Sequence, residues 1–285
     1  MASGTKKKGK GGVSDLRAAT DAVNKRQVPW GTLIAVVAIV ALAAVVFGYY
    51  IIESAPKREQ EAREEAAASF QPSAQNPDPS KDIEGVEITE IKAAGHVKRN
   101  QRVAYDVEPP MGGPHEDVWA DCNGTVYPEG VRTENMVHTM EHGAVWITYN
   151  PDKLDSEAVD LLKLRVENKP YTVMSPYPGM DSPISLQAWG HQLKVDSAED
   201  ERIDQFIAAL RRNPNVAPEP QGGCSSQPGM FDVDNPPPFN PEEPGKDAVP
   251  MDYNAGGPMA GQPGAGQPVP GAGDAGDGDK APADE

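Results

Sequence analysis

The hydropathy pattern is dominated by one uninterrupted apolar run over residues 30–52, free of charge and fenced by Lys25 and Arg26 before it and Glu53 after it. At about 1.5 Å per residue the run is long enough to cross a hydrocarbon core of about 30 Å with some tilt. Backbone polar groups in lipid must be satisfied within their own segment, so the run predicts a single helix through a membrane lipid bilayer. Trp30, Tyr49 and Tyr50 stand at its two edges, where amphipathic rings favour the headgroup level.

Beyond the span the periodicity shortens. Residues 86–91 alternate apolar and polar and predict a strand. Residues 118–122 and 125–127 flank Asn123-Gly124 and predict a hairpin. Residues 144–149 are β-branched and aromatic, a central strand ended by Asn150-Pro151-Asp152. Residues 171–174 and 184–189 predict two more strands, with 191–195 continuing the second or pairing with it. A helix is predicted over 156–168, with Ser156 as its N-cap. A second is predicted over 198–213, with Ile203, Phe206, Ile207 and Leu210 inward and Asp196 or Ser197 before its first turn. Strands, a helix, two strands and a helix make an α+β domain with a mixed or antiparallel sheet. Neither a GxxxxGK[ST] loop nor a GxSxG elbow occurs.

Composition divides the chain further. Residues 53–80 combine a charged run of helix formers with a Pro-rich linker and predict a stalk without a core of its own. Residues 81–224 hold the globular domain. From residue 218 onward there are 14 Pro and 13 Gly, with 12 acids against Lys246 and Lys280, so 225–285 predicts a disordered acidic tail. The tail supplies most of the net charge of −17, which therefore says little about the domain.

Residues 1–29 carry Lys6, Lys7, Lys8, Lys10, Arg17, Lys25 and Arg26 against Asp15 and Asp21. Cationic flanks stay cytoplasmic, so this tail is expected inside and the domain outside, on a retained single-pass anchor rather than a cleaved signal peptide. Overall acidity with one short basic cluster argues against nucleic-acid binding.

The two cysteines, Cys122 and Cys224, then fall in an oxidising compartment and predict a disulfide, with free thiols as metal or redox groups the competing reading. All five histidines, His96, His115, His138, His142 and His191, lie in the domain. The densest segment, residues 136–143, reads MVHTMEHG. As a strand it puts Met136, His138, Met140 and His142 on one face; as a helix it pairs His138 with His142. A Pro/Gly loop, PPMGGPH over 109–115, delivers His115. These histidines fit three roles. They could be buried structural hydrogen-bonders, or a metal site of His115, His138, His142 and Met140, where thioether suits copper and Glu141 suits zinc. They could also supply a general base beside Glu141 or Glu108.

The ordered blocks GHV (95–97), PPMGGPH (109–115), VWADC (118–122), VHTMEHGAVWITYNP (137–151) and AWG (188–190) resemble a family of uncharacterised domains, domain of unknown function 3105, found in actinobacterial single-pass membrane proteins. The resemblance covers about residues 83–224. It implies an extracytoplasmic domain on a short stalk, with His115, His138 and His142 as its functional core and His96 beside them, and it brings no activity. The first expectation is thus a non-enzymatic cell-envelope domain that binds a protein partner or aids assembly. The alternative is a copper or zinc protein, and the third a histidine-dependent hydrolase.

Overall fold

The structure, a computed structural model, describes Met1 and residues 29–254. The chain divides into two compact units, residues 1–55 and 56–285. Helix α1 (Trp30–Ala67) begins in the first, where the apolar run begins, and it is long and apolar enough to cross a membrane. Its large side chains, among them Val37, Ile39, Leu42 and Val46, are exposed. Such a surface is stable in a lipid environment and costly in water. The basic tail, residues 2–28, and the end of the acidic tail, residues 255–285, lie outside the described residues.

The second unit is α+β. Its described residues form ten strands, β1 (Val86–Ile88), β2 (His96–Val97), β3 (Val103–Ala104), β4 (His115–Glu116), β5 (Asn123–Val126), β6 (Val145–Tyr149), β7 (Thr172–Pro176), β8 (Ile184–Ala188), β9 (His191–Val195) and β10 (Val249–Pro250), and helices α2 (Thr133–Glu141), α3 (Ser156–Lys163) and α4 (Arg202–Leu210). The main sheet is mixed, in the order β1-β9-β8-β6-β7-β5. β6 and β5 run parallel to β7, while β8 pairs antiparallel with both β6 and β9. The two-residue periodicity of β6 and β7 builds a core on each face. Val145, Ile147 and Met174 meet α3 and α4 through Leu162, Ile203, Phe206 and Leu210. Ala144, Trp146 and Val173 meet α2 through Met136, Val137 and Met140.

Several boundaries differ from the pattern-based expectation. Asn123-Gly124 makes no hairpin: both lie in β5, parallel to β7, with a register irregularity between Asn123 and Thr125. Gly124 is required by that irregularity, since its φ is +79° and a Cβ would stand 2.6 Å from the Lys169 backbone nitrogen. Residues 118–122 lie instead along α2 and Cys224, with Ala120 N–H donating to Asn135 O and Cys122 N–H to Cys224 O. α3 stops at Lys163, and its N-cap is Asp155, whose side chain accepts from Ala158 N–H, rather than Ser156. α4 starts only at Arg202, because Ser197 and Asp200 hold their own backbone two residues on and form turns before the helix. The first strand ends at Ile88.

The expected stalk is not free-standing beyond residue 60. Gln60 is buried and donates to Asp204 Oδ1 at 2.7 Å, and Asp204 is also gripped by Arg165 at 2.9 Å. Both partners of that ion pair are buried, and the additional Gln60 bond satisfies a remaining lone pair that burial would leave costly. Lys169 pairs with Glu64. In the expected linker, Asp78 and Ser80 are buried, with Asp78 facing His191 at 3.4 Å.

The domain also continues past Cys224. Residues 225–254, assigned to the tail by composition, run along it: Phe231 and Val249 are buried, Arg132 N–H donates to Pro237 O, and β10 pairs parallel with β3. Composition misses this because a few apolar side chains, each with its own slot, suffice once a covalent tether has lowered the ordering cost. That tether is the Cys122–Cys224 disulfide, Cα–Cα 4.8 Å, which closes 102 residues of sequence.

Candidate metal centre

The MVHTMEHG segment is helical, and α2 is buried along its whole length. A fully buried helix with polar residues must supply each with a partner. Glu134 Oε1 accepts from Val103 N–H at 3.0 Å and Asn135 Nδ2 donates to Val118 O at 2.7 Å. Helical geometry turns Met140 about 200° away from His138, so Met140 fills the apolar core. The expected thioether ligand is therefore absent from the histidines' side, and Glu141 takes its place.

Four side chains converge: His96, His115, His138 and Glu141 offer one donor atom each, all within 4.8 Å of one another. Two elements bring them together. α2 supplies His138 and Glu141, three residues apart on one face. The parallel β2–β4 pair sets His96 directly opposite His115, ring centroids 5.0 Å apart. Rings of His115 and His138 are 4.6 Å apart, and Glu141 Oε2 stands 3.0 Å from His115 Nε2 and 3.9 Å from His138 Nε2. His142 adjoins His138, ring centroids 4.7 Å apart, but belongs to a neighbouring pair with Glu219. His191 lies elsewhere, against Asp78.

Backbone carbonyls fix the imidazole tautomers. Nδ1 of His115 lies 2.8 Å from Gly113 O, Nδ1 of His138 2.7 Å from Glu116 O, and Nδ1 of His142 2.8 Å from Gly223 O. A carbonyl only accepts, so each Nδ1 carries a proton and Nε2 is the ring atom left to face a ligand. This is the arrangement by which proteins orient metal-binding imidazoles. Two Pro/Gly segments make it possible. Gly112 and Gly113 adopt φ of +141° and +117° on the way to His115. A Cβ on Gly222 would stand 2.3 Å from the His142 ring.

Nε2 of His115 is fully buried and has no hydrogen-bond partner. Although Glu141 Oε2 is 3.0 Å away, it lies off the direction in which Nε2 could donate. Burial, then the neighbouring imidazoles, push His138 down to about 2, and His96 and His142 are also lowered, chiefly by loss of solvent. The rings of His96, His138 and His142 are thus neutral near pH 7.

A stability consequence follows for chelator-treated protein. These three histidines have folded values below the ordinary 6.5, so the unfolded chain binds more protons below that pH. Stability is fully present above about pH 6.5 and is lost progressively as pH falls toward the lowered values. Thermal melts between pH 7.5 and 4 should show a falling melting temperature; a flat profile would contradict the neutral cluster.

Three of the sequence-selected residues therefore gather here, His115, His138 and, at its margin, His142, whereas Met140 does not. Sequence reading gave His96 and Glu141 lesser parts. The i,i+3 spacing of Glu141 from His138 could have flagged the acid, but nothing local announces the β2–β4 pairing. Residues 96–226 match a family described as Protein of unknown function (DUF3105). No curated protein and no solved structure matches the chain.

Proposed function

This chain carries, over residues 96–226, a domain of the DUF3105 family, whose description assigns no activity, and we propose from the chemistry of its site that it is a membrane-anchored metal-binding protein. The ligands are His96, His115, His138 and Glu141, and the ion is divalent and of the zinc class. The unpartnered, buried Nε2 of His115 beside a carboxylate carries this reading. Without a cation, the buried Nε2 of His115 stays unpaired, at a cost of about 1–3 kcal/mol. Three imidazoles and one carboxylate suit zinc or copper(II), whereas copper(I) favours sulfur. Both cysteines are in the disulfide and Met140 is in the core, so sulfur is missing. Tetrahedral ligation at about 2.1 Å spaces donors by about 3.4 Å, so the four side chains would draw together slightly around the ion. A bound ion would cross-link the short strands β2 and β4 to α2. The basic flank before the span and the disulfide both support a domain on the extracytoplasmic side.

Metal analysis of the full chain, purified in detergent, tests the reading. One zinc or copper ion per chain, or uptake of one on titration, is the expected result. Protein that carries no metal and takes up neither ion overturns it.

A further inference from the structure

His142 lies outside the four-ligand group yet is built in the same way. Its Nδ1 donates to Gly223 O, its ring is buried, and its Nε2 faces a carboxylate oxygen, Glu219 Oε2, at 3.9 Å. The difference lies in solvent access: the Glu219 side chain is 55% exposed, whereas that of Glu141 is 3% exposed. Trp119 walls both imidazoles, its ring 4.8 Å from that of His142 and 5.2 Å from that of His138. Its Nε1 is held by Ser225 O. A contiguous row of nitrogen donors therefore leads from the surface acid, through His142 and His138, to the buried group.

Electrostatics favour this side for a cation. Glu219 N–H donates to Glu141 O, which pins Glu219 to the C-terminal end of α2. That end carries the partial negative charge of the helix, where a further acid is unfavourable unless a cation is served. His96, the exposed member of the group, is followed by Lys98 and Arg99, with Asp117 the acid near it. On the His96 side Arg99 is paired with Glu116, so charges of both signs meet an incoming ion there, whereas Glu219 offers it an exposed carboxylate.

From this arrangement, and resting on the metal-binding reading above, we infer that His142 and Glu219 form a solvent-facing ligand pair through which a divalent ion is loaded into the His96–His115–His138–Glu141 site. The pair offers one nitrogen and one oxygen, so water completes the ion's shell and the hold is transient. Transfer exchanges these ligands for the four inner donors with no redox change.

Stopped-flow mixing of chelator-stripped full chain in detergent with cobalt(II), followed by its visible absorption, separates loading from final occupancy. Glu219→Gln, an exposed change, and His142→Gln, whose amide can still donate to Gly223 O, should each slow loading at least about tenfold, the lower end of the range by which local charge raises association rates. Occupancy at saturating cobalt should remain one ion per chain. Loading at the wild-type rate in both variants overturns the inference and leaves the metal-binding reading intact. So does slowed loading in Asp117→Asn alone, which would put access past His96. Lost stoichiometry in His142→Gln would make His142 a resident ligand, and that too overturns it. A wild-type chain that gives no cobalt spectrum defeats the metal-binding reading itself.

Discussion

Glu141→Gln is expected to weaken zinc or copper(II) binding by about 100-fold or more, the upper end of what even an outer-shell change costs, while the chelator-treated variant melts no lower than the wild type. The two halves have one cause. In the wild type a buried carboxylate approaches His115 Nε2 to 3.0 Å and His138 Nε2 to 3.9 Å. Each ring's Nδ1 is bonded to a backbone carbonyl, which leaves Nε2 as the atom turned toward the acid. Negative charge buried among imidazoles is unfavourable unless a cation sits with it. Glutamine keeps the shape, removes the charge and brings an amide that can donate to an imidazole nitrogen. The variant therefore loses the ion's anionic ligand and loses the conflict with it. Calorimetric titration and melts in excess chelator report the two effects separately. A structural acid would give the opposite pattern, with unchanged ion uptake and a lower melting temperature.

Replacement of both Cys122 and Cys224 by alanine is expected to cost about 2–5 kcal/mol. The closed loop spans 102 residues, which places the chain-entropy contribution near the upper end. The loss reaches the histidine cluster as well, because residues 222–225 hold its outer wall: Gly222 O accepts from the Tyr171 hydroxyl, Gly223 O from His142 and Ser225 O from Trp119. Residues 225–254 should become protease-sensitive at the same time, since their attachment beyond the bridge rests on small contacts such as Phe231, Phe239 and the two-residue strand β10. Denaturant unfolding, with limited proteolysis of the same samples, tests both. A double variant within about 0.5 kcal/mol of wild type, the ordinary range for surface changes, would show the bridge to be dispensable.

Much of the scaffold was legible along the chain. Residues 30–52 announce a bilayer crossing because no soluble fold leaves so long an apolar run exposed. The alternation over 144–149 marks β6, and the helical period of Ile203, Phe206, Ile207 and Leu210 marks the inward face of α4. The cysteine parity predicted the Cys122–Cys224 bridge. Misreadings concentrate where local chemistry has two solutions. Asn123-Gly124 serves a bulged parallel strand as readily as a hairpin, and Ser197 and Asp200 cap turns as readily as a helix. Low apolar content in 225–254 concealed a strap anchored by a few residues such as Phe231 and Val249.

The site divides along the same line. That the domain's histidines include an HxxxH pair and a rigid loop ending in His115 is written in the sequence, because spacing along one helix and the stiffness of Pro/Gly segments are local properties. Only the tertiary structure decided that Glu141 rather than Met140 joins them, that His96 stands opposite His115, and that His142 turns toward Glu219. Those outcomes depend on which face of α2 the sheet buries and on a two-residue strand pair too short to leave a periodic trace. The sequence thus determined the anchor and the donor types, and long-range packing determined which donors meet.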